Sequence, residues 1–90
     1  MTLSEIDLTD FGKEPGQRIQ DLRKDKFHWS QEEFAYRLDC TRQIVSKFET
    51  GKAISPYMFL KVVELLQTTP DYILYGMESL DEDKEFYTEW

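Results

Sequence analysis

A compact all-α domain of five helices is the fold class this sequence predicts, and three observations predict it. Glycines and prolines at 12, 15, 16, 51, 56, 70 and 76 cut the chain into segments. Between these breaks the apolar residues recur with helical rather than alternating spacing. Several segments also open on a residue type that caps helices and close on glycine.

The first helix starts near Pro15 and carries Ile19 and Leu22 on one face, with Lys26 or Phe27 continuing it and charged residues opposite. Ser30 opens the second helix three residues before Glu33, the spacing at which hydroxyl and carboxylate cap each other's backbone amides. Phe34, Ala35 and Leu38 form its buried stripe, and Asp39 and Cys40 make a turn. Thr41 caps the third helix, Val45 and Phe48 face inward, and Gly51 stops it. The fourth helix has Ser55 as cap and Pro56 at its first position, where the missing amide costs nothing. It runs through "YMFLKVVELLQ", with Leu60, Val63 and either Leu65 or Leu66 as its anchors. The fifth helix, "PDYILYG", opens on proline and closes on glycine. The final "MESLDEDKEFYTEW" reads as either a marginal helix or a loose tail.

Ninety residues fit one small domain, which leaves little room for a deep catalytic pocket. A hydrophobic content of 40% suffices for a packed core. Cys40 is the one cysteine and His28 the one histidine, so no disulfide framework, zinc site or other cofactor is expected. No run of about 18 apolar residues occurs and the N-terminus is acidic, so neither a membrane span nor a secretory signal is expected, and the default location is cytoplasmic. No nucleophile, base and orienting group can be named together, so no enzyme is expected.

The formal charge of -7 is unevenly placed. Residues 15–76 hold nine Lys/Arg against eight Asp/Glu, a net +1, while residues 1–14 carry -3 and residues 77–90 carry -5. The organisation is therefore a near-neutral domain over 15–76, an acidic N-terminal extension over 1–14 and an acidic C-terminal tail over 77–90. A polyanionic partner responds to the field at the contact face rather than to the sum over the molecule.

Two short helices joined by a tight turn, "SQEEFAYRLDCTRQIVSKFETGK", occupy residues 30–52. A helix-turn-helix reads DNA by laying its second helix in the major groove, roughly 12 Å wide, while the first crosses the backbone. Ala35 supplies the small residue where the helices approach, and Phe34, Leu38, Val45 and Phe48 supply the apolar set, with Cys40 joining them in the turn. Arg42, Gln43, Ser46 and Lys47 remain for the groove and share one face. Taken alone they are an ordinary solvated helix face; in register with the motif they point to DNA.

From Gly16 to Gly76 the chain resembles the Cro/phage-repressor type of helix-turn-helix domain, the XRE family of bacterial and phage transcriptional regulators. The resemblance is carried by "RIQDLRKDK", "WSQEEFAYRL", "SKFETGK" and "LKVVELLQTTPDYILYG", spread over about two-thirds of the chain. It implies a lambda-repressor-like domain of five helices that binds double-stranded DNA as a homodimer on a two-part operator, more often as a repressor, without catalysis. Carried over by position, it places Gln31 against a phosphate and Arg42, Gln43 and Lys47 at base-reading positions, with Ser46 at the groove edge. Thr41, Thr50 and Lys52 fall where the backbone is met, and Arg23 and Glu49 match a structural ion pair.

Three departures from the family pattern are visible. Asp39 stands where glycine is common in the turn and must visit left-handed geometry. The link "FHW" is one residue longer than usual, which implies a distorted end to the first helix. Ile44 stands where a smaller or polar residue is common, and either meets a thymine methyl or packs on a neighbour.

Met58 and Phe59 also stand where charge is usual. With Tyr75, Met77, Phe86, Tyr87 and Trp90 they either complete a core beneath the tail or join two subunits; the subunit reading is preferred, because a palindromic operator holds two recognition helices about 34 Å apart. A different class of function is a protein-binding module, such as an antitoxin or anti-repressor, whose acidic tails engage a basic partner.

Overall fold

The computed structural model describes residues 10–77. These form five α-helices and no strand among the described residues. Helix α1 spans Lys13–Asp21, α2 Gln31–Leu38, α3 Arg42–Glu49, α4 Pro56–Leu65 and α5 Pro70–Tyr75, and a π-helical turn, Leu22–Lys26, continues α1. Expectations placed on Phe86, Tyr87, Trp90 and the form of the two acidic ends lie outside the described residues.

Caps set the boundaries. Ser30 Oγ accepts from the amide of Glu33 at 3.0 Å, Thr41 Oγ1 from Ile44 at 3.3 Å, Ser55 Oγ from Met58 at 3.1 Å and Thr69 Oγ1 from Tyr72 at 3.1 Å. Each satisfies one amide that the first turn leaves unpaired. At Ser30 only half of the reciprocal cap forms: the Glu33 carboxylate turns away to pair with Arg37 Nε at 2.9 Å. Helix α1 begins at Lys13, two residues before the proline expected to open it, with Gly12 as its cap. Pro15 is tolerated there because its position falls among the unpaired first-turn amides.

Between α1 and α2 the long link takes a specific form. The Phe27 amide reaches back five residues to the Leu22 carbonyl at 3.2 Å, and His28 sits at φ 58°. The extra residue is thus absorbed by widening the last turn of α1. Trp29 stacks on Phe27 at 4.5 Å between ring centroids and carries the Arg37 guanidinium over its ring at 4.5 Å from the centroid. Asp39 ends α2 in the left-handed region at φ 59° and ψ 47°, the geometry its short polar side chain tolerates.

The core is one cluster in which Ile19, Phe34, Leu38, Val45, Phe48, Val62, Leu66 and Ile73 are fully buried. Each contributes about 1.5 to 3 kcal/mol by leaving water. Helix α4 corrects the expected register: Phe59 and Val62 are buried, Leu60 is 60% exposed, and Val63 and Leu65 are half-buried. Its apolar residues run nearly all round, so two registers one residue apart satisfy helical spacing equally, and packing against α2 and α5 selects Phe59, Val62 and Leu66. Phe59 is therefore core, and is withdrawn from any partner surface.

Basic side chains tie helix ends across the fold. Arg18 Nη1 donates to the Ile73 carbonyl in α5 at 2.9 Å, and Lys61 Nζ donates to the carbonyl of Leu38 at the end of α2. Both sit where the carbonyls of a last turn lack partners and the helix dipole favours a cation.

Candidate nucleic-acid interface

Helix α3 is fixed from its inner side. Val45, Phe48 and Glu49 are buried, a stripe at the i, i+3, i+4 spacing of one helical face. Glu49 lies within a closed polar network. Its Oε2 accepts from Arg23 Nε at 2.6 Å and its Oε1 from Arg23 Nη2 at 3.0 Å, a bidentate pair. Arg23 Nη1 also donates to the Trp29 carbonyl at 2.8 Å, and Gln31 Nε2 donates to Glu49 Oε1 at 3.0 Å. One ion pair therefore locks α3 to the π-turn, to the link and to the N-terminus of α2. The ion pair implied by family likeness is present, and it sets the angle at which α3 is held.

Two glycines allow the backbone to close around this helix. A Cβ on Gly16 would stand 2.5 Å from the Glu49 carbonyl oxygen, so α1 crosses the end of α3 with no side chain between them. Gly51 follows α3 at φ 80° and packs against the Gly12 backbone, where any Cβ would collide. The Gly12 amide donates to the Gly51 carbonyl at 3.3 Å, and the Asp10 amide donates to that of Lys52. The segment before α1 thereby braces the loop after α3.

The outer side of α3 is different in kind. Arg42, Gln43, Ser46, Lys47, Thr50 and Lys52 line one open depression. All six are exposed. Between Thr41 and Ser55 the only acid is Glu49, which is buried and paired, so Arg42, Lys47 and Lys52 present positive charge without an exposed carboxylate in that stretch.

The side chains expected to meet phosphate differ in the donors they keep free. Thr41 accepts the cap bond on its oxygen and keeps its hydroxyl proton to give. Gln31 uses one amide donor on Glu49 and retains the second. Thr50 Oγ1 donates inward to the carbonyls of Ser46 at 3.0 Å and Lys47 at 2.9 Å, so its one proton is shared within α3. Lys52 is exposed at the end of the depression.

A second, smaller depression flanks α3, lined by Ile44, Lys47, Ala53, Ile54, Ser55 and Met58. Met58 is half-buried there. Tyr75 is 67% exposed at the end of α5. Cys40 packs half-buried against the core with its Sγ 3.6 Å from the Thr41 carbonyl, and burial pushes its thiol up, which disfavours the reactive thiolate.

Sequence reasoning missed Arg18, Lys61, Phe11 and Ile54 as parts of the scaffold. Only the lysine and arginine residues carried any signal, as cations able to cap a carbonyl end, and the Arg18 partner lies 55 residues away.

A family model described as helix-turn-helix matches residues 19–73, a span that contains the Arg23–Glu49 pair, α2 and α3. No curated protein and no solved structure matches the chain.

Proposed function

We propose, from the premise that this chain belongs to the helix-turn-helix family of the XRE type, that it is a repressor placing α3 in the major groove of a two-part operator. The observation that carries this reading is the outer face of α3: three cations and three polar side chains in one depression, with the only acid of that stretch locked on the inner side.

Arg42 would favour guanine and Gln43 adenine, each bidentate contact contributing about 1 to 3 kcal/mol of discrimination. Lys47 reads a neighbouring acceptor and Ser46 the groove edge. Gln31 and Thr41 bring free donors to phosphates beside the N-termini of α2 and α3, where helix dipoles favour anions. Lys52 adds charge from the loop, and Thr50 would exchange one internal bond for a phosphate. A homodimer supplies the second recognition helix, with Tyr75 and Trp90 as candidate subunit contacts; Met58 is assigned instead to the flank of α3. Occupying the operator blocks polymerase.

Selection of binding sites from random DNA tests the reading. Enrichment of a palindrome with half-sites about 10 base pairs apart is expected. Failure to enrich any motif at low salt would shift the function to a protein-binding module. The net charges of -3 and -5 on the two ends favour that second reading. On that reading, deleting residues 77–90 abolishes capture of a basic partner, whereas an unchanged capture leaves the tail as solubilising surface.

A further inference from the structure

Ile44 is the one apolar residue on the outer side of α3, and it is 42% exposed. With about 100° of rotation per residue, Gln43 and Lys47 point most directly away from the buried stripe of Val45, Phe48 and Glu49. Arg42 and Ile44 fall on the two margins of the face, Ile44 nearer its centre than Arg42. Ile44 also forms the wall of an open notch with Met58, Ala53 and Lys47. A β-branched side chain held by a helix has one strongly preferred rotamer, so this wall is stiff.

Seen from the major groove, a base pair offers donors, acceptors and one apolar group, the 5-methyl of thymine. Polar neighbours on α3 suit the first two kinds of group, and only Ile44 and the notch beside it suit the third. We propose that Ile44, backed by Met58, is a specificity-determining residue that receives the 5-methyl of a thymine next to the base pairs read by Gln43 and Lys47. This rests on the DNA-binding reading above and names one element of its specificity.

The test is binding of the purified full chain to its selected operator, with each thymine replaced in turn by deoxyuridine, which removes the methyl and leaves the pairing edge intact. Burying one methyl-sized group contributes about 0.8 kcal/mol, so a single replacement should weaken binding about fourfold in one half-site and about sixteenfold when made in both. Ile44→Ala should weaken binding by a similar factor and lose sensitivity to that replacement alone. Ile44→Val should retain part of it. Thermal melting of Ile44→Ala should match the parent, since the side chain lies outside the core. A parent that selects an operator yet binds every deoxyuridine form equally overturns this inference and leaves the DNA reading standing. An Ile44→Ala protein as sensitive as the parent overturns it too. A parent that enriches no DNA overturns both.

Discussion

Helices α3 and α4 are similar in build and opposite in use. Each opens on a hydroxyl cap and buries a stripe at helical spacing: Val45, Phe48 and Glu49 in α3, Phe59 and Val62 in α4. The outer side of α3 is polar and cationic, whereas that of α4 exposes Tyr57 at 72% and Leu60 at 60%. Arg42 and Lys47 mark one side of α3 as solvent, and its one acid, Glu49, goes inside only because Arg23 pairs with it, so α3 has one register that keeps its cations wet. An apolar residue such as Leu60 is stable enough on either side, so only tertiary packing decides where it goes. The difference teaches that a polar outer face fixes orientation from sequence, and that α3 is the helix whose surface is free for a polyanion.

Breaking the buried side of each helix should give the largest effects. Arg23→Ala leaves the Glu49 carboxylate buried with its bidentate partner gone, and should cost about 3 to 5 kcal/mol in denaturant unfolding. Ser46→Ala, on the opposite side of α3, should stay within about 0.5 kcal/mol. In α4, Phe59→Ala should cost about 3 to 5 kcal/mol through the cavity it opens, against about 0.5 kcal/mol or less for Leu60→Ala. Equal losses at Phe59 and Leu60 would return α4 to the register that its sequence suggests equally well.

A second level of effect should appear in binding alone. Arg42→Ala removes a side chain that makes no internal hydrogen bond or ion pair among the described residues, so its melting temperature should match the parent. On a selected operator the variant should lose about 1 to 3 kcal/mol at one base position and tolerate substitutions there. A uniform loss across all sequences would instead make Arg42 a phosphate contact and sharpen the division of the outer face.

Much of this was legible in sequence because it is local. Ser30, Thr41 and Ser55 sit three residues from the amides they cap, and Asp39 and Gly51 stand directly at the turns they make. The extra residue in "FHW" announced a distortion but not that a π-turn would absorb it. What stayed hidden depends on distant partners: Arg18 with Ile73, Lys61 with Leu38, and the segment at Asp10 and Gly12 with the loop after α3. The outer residues from Arg42 to Lys52 were legible as one group because a single helix and its following loop carry them. Phe59 was misplaced because its assignment depended on the orientation of α4, which nothing local fixes.

The smallest effect expected is the most general in its cause. Lys52 lies in the loop beyond α3, exposed, and its backbone is held by the Lys47 carbonyl at 3.1 Å and by the Asp10 amide. That bracing gives its ammonium a fixed origin at the end of the α3 depression, yet a flexible four-carbon stem makes it a point charge rather than a reader of bases. Neutralising one phosphate releases about 0.9 counterion on duplex DNA, so Lys52→Ala should reduce the slope of log affinity against log salt by about 0.9 for each subunit bound. Relative to the parent, its deficit should therefore shrink about 3.5-fold for each subunit bound between 50 and 200 mM salt and be the same on every sequence. An unchanged slope with altered sequence preference would move Lys52 from the phosphates to the base-reading group.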